Sequence, residues 1–222
     1  MLDLAETLLA QHLGYSFLSK VFYEPPNTEF IQLLVDDALF DIWPIESDNP
    51  DMQAGLTELR AFCATWQPDD LAALKRDYAR LFIGPERLLA PPWESVYRSD
   101  EHLLFERQTL EVRAEYQRFG MPIPKLNVEP DDHIGLEFRF VAYLCHLALE
   151  AVERDRQDIV NGLSDAVRGF LTEHLWTWAP DCLGRVESNS LTGYYRGAAR
   201  LALGCMQVSS THFGVQVEKS RA

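Results

Sequence analysis

Apolar residues recur about every 3.6 positions along most of the chain, which is the period of an α-helix. The first such stripe ends at Pro25 and Pro26, because proline cannot continue a helix. It consists of Leu4, Leu8, Tyr15, Leu18 and Phe22. No series of alternating strands and no repeat of fixed period interrupts the pattern. The sequence therefore predicts an all-α fold, a helical bundle in a single domain over residues 1–222.

Helix-starting and helix-ending residues predict where the other helices lie. Thr28 is the expected cap of the second helix, and Asp69 and Asp70 suit the positive end of the fourth. The helix predicted from Ile134 to Glu150 is apolar over most of its circumference, which indicates burial on several sides. The remaining ranges are 28–38, 51–66, 68–82, 104–119, 155–178 and 190–208.

Acidic residues dominate the charge of the chain and are unevenly distributed. Asp and Glu total 34 against 20 Lys and Arg, a formal net charge of -14. This balance argues against binding to nucleic acid or to an anionic membrane surface, since both require a basic face. No Lys or Arg lies between Lys20 and Arg60, whereas nine acids do. That stretch is either a solvated face or an electrostatic lure for a basic peptide.

Three absences in the sequence narrow the class of protein. Asp3 and Glu6 precede any basic residue, which is the reverse of a secretory signal, and no apolar run approaches the ~20 residues of a membrane helix. The four cysteines are far apart, which favours reduced thiols over disulfides or a structural zinc site. These features predict a cytoplasmic protein with no metal and no cofactor.

A polar cluster at Glu129–His133 directly precedes the most apolar helix. The simplest interpretation is structural: Glu129 or Asp131 caps the helix, and Pro130 occupies its first turn. A metal site formed by Asp132, His133 and Glu137 is chemically permitted but lacks a further ligand at a suitable spacing. A general acid/base pair is also possible, yet no nucleophile or oxyanion motif accompanies it.

A second unusual segment is the loop containing Ala90-Pro-Pro-Trp-Glu-Ser-Val-Tyr97, because loops are ordinarily polar. Either this loop folds back and plugs the core, or it forms a rigid aromatic platform for a ligand. Aromatic rings on a stiff backbone lose little entropy on binding, which suits peptide capture.

Three segments together resemble the TorD/DmsD family of chaperones for molybdenum-containing redox enzymes. They are Tyr78-Ala-Arg-Leu-Phe-Ile-Gly-Pro85, the loop 90–97, and Glu129-Pro-Asp-Asp-His-Ile134. Leu103-Leu-Phe105 and Thr109-Leu-Glu-Val-Arg113 also look like that family. Their order and spacing make the match more specific than any one segment does. The Pro-Pro-Trp form looks more like the DmsD branch than the trimethylamine-oxide branch.

The resemblance implies a cytoplasmic, all-helical chaperone without catalytic activity or cofactor. It implies binding of the twin-arginine signal peptide, and of the apo-form, of a dimethyl-sulfoxide or trimethylamine-oxide reductase type of molybdoenzyme. It implies no nucleic acid partner and no membrane insertion. Some members exchange helices through a hinge, here 120–128, so the chain is expected to be a monomer or a helix-exchanged dimer. The implied peptide-binding residues are Tyr78, Phe82, Pro91, Pro92, Trp93, Tyr97, Asp131, Asp132 and His133.

Two other functions remain as alternatives to a binding module. One is a hydrolase that uses Asp131, Asp132 and His133, although the usual catalytic and phosphate-binding motifs are missing. The other is a scaffold protein of an anaerobic respiratory complex. A hydrolase would show catalytic turnover, whereas a chaperone would not. A scaffold protein would stay bound to the mature enzyme, whereas a chaperone would be released.

Overall fold

All regular structure in the described residues is helical, which confirms the all-α prediction. The computed structural model describes residues 3–85, 87–99, 107–123 and 129–216. Within these ranges the helices are α1 (Leu4–Tyr23), α2 (Thr28–Asp36), α3 (Pro50–Thr65), α4 (Leu71–Tyr78), α5 (Glu94–Arg98), α6 (Arg107–Phe119), α7 (Ile134–Glu153), α8 (Gln157–Phe170), α9 (Trp176–Asn189) and α10 (Gly193–Phe213). A 3-10 turn at Pro68–Asp70 precedes α4, and π turns at Ala79–Ile83 and Leu171–Leu175 follow α4 and α8.

Helix α7 is the central helix, as its apolar circumference predicts. It packs along α1, and Phe138 on α7 lies 5.8 Å from the rings of both Tyr15 and Phe22 on α1. On another side its Phe140 packs edge-on against Phe170 of α8 at 4.7 Å. A helix that is covered on several sides fixes the position of the residues that directly precede it. The start of α7 is therefore a rigid place in the fold.

The helix boundaries differ from the prediction at the start of α2 and at the junction of α8 with α9. Asn27 caps α2, since its side chain accepts from the Phe30 N–H, so the prediction of Thr28 as the cap is wrong. The helix expected at 155–178 continues through a π turn into α9 and ends at Asn189. Pro180 lies inside α9 and does not end the helix. Residues 104–106, 124–128 and the ends of the loop at 86 and 100 lie outside the described residues.

The four cysteines are free, as their spacing predicts. Burial raises the pKa of Cys145 to about 12, so this thiol stays protonated and behaves as a small apolar group. In the part of the chain that the structure describes, no helix is long and apolar enough to cross a membrane.

Helices α3 and α10 approach until their backbones touch, because glycines face the partner helix. A Cβ atom on Gly204 of α10 would lie 2.4 Å from the backbone nitrogen of Met52. A Cβ atom on Gly55 of α3 would lie 2.4 Å from the backbone nitrogen of Leu201. Since both obstacles are backbone atoms, a side-chain rotation cannot relieve either contact.

Gly204→Ala should therefore force α3 and α10 apart and lower the free energy of unfolding by about 1–3 kcal/mol. Gly184 on α9 is the matched control, since no atom lies within 4 Å of the Cβ that would be added there. Gly184→Ala should be neutral or stabilise by about 0.5–1 kcal/mol, because alanine favours the helix. Urea unfolding of both variants measures the difference, and equal effects would contradict the close crossing.

Buried acids meet between α5, α7 and α9. Glu137 on α7 and Glu94 on α5 are both 0% exposed. Glu94 pairs with Arg98, and its carboxylate lies 2.9 Å from His174 Nδ1, whereas among the described residues Glu137 accepts a hydrogen bond from the Trp178 indole N–H alone, at 3.2 Å. Burial, and then the charges of nearby Glu94 and Asp132, raise the pKa of Glu137 well above its ordinary value of about 4.5. Burial and these neighbouring charges thus disfavour ionisation of the Glu137 carboxyl in the folded protein.

This raised pKa makes the stability of the fold depend on pH. Above about pH 4.5 the unfolded chain releases the Glu137 proton while the folded chain retains it, so stability falls as pH rises toward the folded pKa. Glu137→Gln cannot ionise and should gain melting temperature over the wild type progressively as the pH rises above about 4.5 toward the folded pKa. Glu150→Gln, at a half-exposed position of the same helix, is the control. Thermal melts in which the Glu137→Gln difference stays constant with pH would show that this carboxyl is charged in the fold.

Candidate functional site

The loop before α5 and the segment before α7 run side by side. Ile134 donates its backbone N–H to the Pro92 carbonyl at 2.8 Å, and Glu94 donates its N–H to the Asp132 carbonyl at 2.9 Å. Between these bonds Trp93 and His133 form an isolated antiparallel bridge. Two segments that are 40 residues apart in sequence, at positions 93 and 133, are thereby fixed to each other. The resemblance grouped the same two segments into one site, and the structure brings them together.

Asp132 ties a third element to this pair of segments. It is 0% exposed, and Oδ2 accepts the backbone N–H of Ser95 at 2.7 Å while Oδ1 accepts the hydroxyl of Thr109 at 2.7 Å. Ser95 lies in the first turn of α5, where backbone N–H groups have no partner within the helix. One carboxylate therefore holds α5, α6 and the start of α7 together.

Asp131 points to the interior as well. Its Oδ2 forms an ion pair with Arg113 of α6, and its carbonyl accepts the Tyr116 hydroxyl at 3.0 Å. The helix cap, however, is His133, whose Nδ1 accepts the Gly135 N–H at 3.0 Å. The interpretation of Glu129 or Asp131 as the cap of this helix is therefore wrong. Asp131 and Asp132 brace α6 instead, since their side chains are aimed at that helix.

Acidic and aromatic side chains lie outside the buried residues Asp131 and Asp132 and form a rim. The Trp93 indole N–H donates to Glu129 Oε1 at 3.0 Å, and both residues are half-buried. The His133 ring packs edge-on against Tyr23, at 5.2 Å, and against Trp93, at 6.0 Å. Burial, and next the negative charge of Glu129, raise the pKa of the Tyr23 hydroxyl. We call Tyr23, Trp93 and Glu129 the acidic–aromatic rim.

Tyr78 and Phe82 lie behind the rim in the core. Their side chains are 5% and 3% exposed, and their rings are 5.2 Å apart. The Tyr78 hydroxyl donates to the Tyr23 carbonyl at 3.1 Å, and Phe82 packs edge-on against Phe22 at 6.0 Å. These two residues support the backbone of Tyr23 from inside and have almost no accessible surface of their own.

The sequence leaves open whether the proline-rich loop, residues 90–97, plugs the core or forms an aromatic platform. In the structure it does both. Pro92 is buried and Pro91 is half-buried, so part of the loop plugs the core. Trp93 and Tyr97 are only partly buried, so some of their surface stays accessible. Tyr97 packs on Trp178 of α9 at 5.4 Å, and the Arg185 guanidinium lies 5.0 Å from the centre of the Tyr97 ring. The loop is a stiff, anchored segment with an aromatic outer face.

Several residues of this site were missed from the sequence. Tyr23 ends α1 and lies 110 positions before His133, so no local pattern connects them. Thr109 and Arg113, one turn apart on α6, have a detectable signal, since both fall inside one of the segments that resemble the family. The sequence predicts Glu129 only as a possible helix cap, since its position at the rim depends on the tertiary contact with Trp93.

The described residues contain no group of three His, Cys, Asp or Glu side chains that could hold a metal ion. The acids of 24–58 are mostly exposed, and three of them pair with bases: Glu24 with Lys20, Asp41 with Arg60, and Glu58 with Arg196. Chemically, the rim offers one outward carboxylate between aromatic rings, which is a setting that attracts a guanidinium group.

Comparison with known proteins places this chain in a family. The family model for the nitrate reductase delta subunit matches residues 46–183. The chain is 26% identical over 189 residues to the Tat proofreading chaperone DmsD of Salmonella typhi, covering 83% of this chain and 81% of that protein. It is 31% identical over 134 residues to the chaperone protein TorD of Vibrio cholerae, covering 60% of this chain and 59% of that protein. A solved structure of a candidate redox enzyme maturation protein from Archaeoglobus fulgidus aligns over 91% of this chain and 94% of that chain, with a TM-score of 0.49 and 19% identity.

These relatives are named as chaperones, and the family is not one of catalysts, which answers the hydrolase alternative for Asp131, Asp132 and His133. The family model covers more than half of the chain and includes most of the site described above. The chain therefore belongs to the nitrate reductase delta subunit family, in which the TorD/DmsD chaperones are its relatives.

Proposed function

We propose that the protein is a cytoplasmic chaperone that binds the twin-arginine signal peptide of a molybdoenzyme precursor and holds it until the cofactor is inserted. The client is of the dimethyl-sulfoxide or trimethylamine-oxide reductase type, and the apo-form of its body is part of the complex. The observation that carries this proposal is the acidic–aromatic rim, in which the Glu129 carboxylate accepts from the Trp93 indole beside Tyr23 and His133.

The chemistry of a twin-arginine peptide fits the rim. Such a peptide presents two guanidinium groups followed by an apolar stretch. A carboxylate accepts guanidinium N–H groups in charge-assisted hydrogen bonds, and an aromatic face attracts the same cation. Glu129 accepts the Trp93 N–H through Oε1 alone, which leaves further acceptor capacity on this carboxylate. Pro91, Trp93 and Tyr97 supply an apolar surface for the stretch that follows.

The residues implied by the resemblance then divide into two roles. Pro91, Trp93 and Tyr97 touch the peptide, because their surface is partly accessible. Asp131, Asp132 and His133 position the rim, because their side chains are buried and bonded within the chain. The other buried members, Tyr78, Phe82 and Pro92, support the rim from the interior.

The charge of the chain supports recognition of a basic peptide at longer range. The acids of 24–58 begin next to the rim, since Glu24 directly follows Tyr23. A field of this sign speeds the approach of a cationic peptide and disfavours acidic ones. We also propose that residues 1–222 act as one domain and that helix exchange, if it occurs, uses 120–128. Gly120 has a φ of 73°, a left-handed turn at the end of α6.

Glu129→Gln should weaken the binding of a synthetic twin-arginine peptide about ten-fold, because the guanidinium group loses its anionic partner. The glutamine carbonyl still accepts from the Trp93 indole N–H, so the position of the side chain is kept. Trp93→Ala should weaken binding by a similar factor through loss of the aromatic face. Isothermal titration calorimetry with the peptide, and with a version carrying glutamine for both arginines, measures these effects.

Glu150→Gln is the matched control, since Glu150 is also half-exposed and lies near the other end of α7. It should bind the peptide as the wild type does. Equal binding by the Glu129→Gln variant, or wild-type binding of the glutamine peptide with undiminished affinity, would remove the rim as the reader of the two arginines.

A further inference from the structure

Three arginines line a groove where α4 and its π turn end. Arg76, Arg80 and Arg87 surround a volume of about 480 Å3. The floor of this basic groove is apolar and is formed by Ala79, Pro85 and Leu89. A groove of this size accommodates a few side chains of a bound segment.

The basic groove is positively charged, whereas the chain as a whole is negatively charged. Residues 75–87 carry Lys75, Arg76, Arg80 and Arg87 against two acids, in a chain with a net charge of -14. One of those acids, Asp77, is 0% exposed. A surface so different in sign from the whole molecule points to a ligand of opposite sign.

The arginines of the basic groove are available to such a ligand. Arg80 is 43% exposed and reaches Asp77 at 3.3 Å. That carboxylate is mostly engaged elsewhere, because Oδ2 accepts the backbone N–H groups of Leu191 and Thr192. Arg76 and Arg87 are exposed and form no ion pair with any other described residue. Unpaired guanidinium groups at a groove keep their donors for a carboxylate from outside.

Exposed aliphatic side chains flank the groove. Ile83, at the end of the π turn, is 62% exposed, and Leu191 is 71% exposed. The bond between Leu191 and Asp77 places Leu191 beside Arg80, which contacts the other oxygen of the same carboxylate. Arginine is enriched at protein–protein interfaces, and exposed apolar patches that are rimmed by polar residues mark interaction sites.

We propose that the basic groove docks an acidic segment of a partner protein, one that carries leucine-type side chains between its carboxylates. The carboxylates would pair with Arg76, Arg80 and Arg87, and the aliphatic side chains would cover Ile83 and Leu191. A twin-arginine peptide cannot be the occupant, because its cations would be repelled here. The proposal therefore goes beyond the proposed function and gives the chaperone a second contact surface of opposite sign to the acidic–aromatic rim.

The test uses the full chain and a fluorescein-labelled acidic peptide made of glutamate, leucine and glutamine in a helical pattern. Fluorescence anisotropy should show binding to the wild type that weakens as salt is raised. Arg76→Ala/Arg87→Ala should reduce the affinity at least about ten-fold, since two charge-assisted contacts are lost. The same variant should bind the twin-arginine peptide as the wild type does.

Arg107→Ala/Arg154→Ala is the control, since it removes two arginines that are 84% and 72% exposed, at the start of α6 and directly after α7, and changes the net charge equally. It should lose less than about three-fold, the effect of net charge alone. Absence of wild-type binding to the acidic peptide, equal losses in both variants, or displacement of the acidic peptide by the twin-arginine peptide would overturn the proposal. Failure of the twin-arginine peptide alone would leave the groove intact and would count against the rim.

Discussion

The buried carboxylate of Asp132 is the contact on which the site depends. The carboxylate accepts hydrogen bonds from the backbone N–H of Ser95 in α5 and from the hydroxyl of Thr109 in α6. The backbone carbonyl of Asp132 accepts a further hydrogen bond from the N–H of Glu94. A hydrogen bond to a charged group contributes about 1.5–3 kcal/mol, and a buried donor that loses its partner costs about 1–3 kcal/mol. The Asp132 carboxylate joins α5, α6 and the start of α7. The motif at 129–133 therefore fixes the position of the proline-rich loop. The motif resembles a binding site in sequence and acts first as a brace in structure.

The acidic side chains around Asp132 point in different directions. Those that point inward stabilise the fold, and the one that points outward is available to a ligand. Asp131, Asp132 and Glu94 form ion pairs or hydrogen bonds within the chain, and burial raises the pKa of Glu137, which disfavours a further buried charge. Glu129 alone in this motif reaches the outer surface, where Trp93 holds its position. The buried acids provide a rigid frame, and the outward acid provides the charge that a basic ligand meets. Rigidity matters here because a preformed site loses less entropy when it binds.

The fold was more predictable from sequence than the site. Helical periodicity identifies α1 and α7 because each carries a continuous apolar stripe, and it misses the junction of α8 and α9 because a π turn preserves helical character across it. The resemblance grouped the correct segments, yet it could not say which members face solvent. Side-chain direction at 131–133 follows from the contacts with Arg113, Thr109 and Gly135, which are tertiary or depend on the exact first residue of α7. Tyr23 joins the rim only through packing across the whole domain.

The measurement that tests this account most directly is amide hydrogen exchange at Ser95 in the wild type and in Asp132→Ala. We expect the Ser95 amide to be protected in the wild type and to exchange at least about ten-fold faster in the variant, because its buried acceptor is gone. Amides of α1 and of the middle of α7 should keep their protection, since Asp132 does not contact them. Twin-arginine peptide affinity should fall together with the Ser95 protection. Unchanged exchange at Ser95, with the variant folded, would contradict the claim that this carboxylate holds the site in shape.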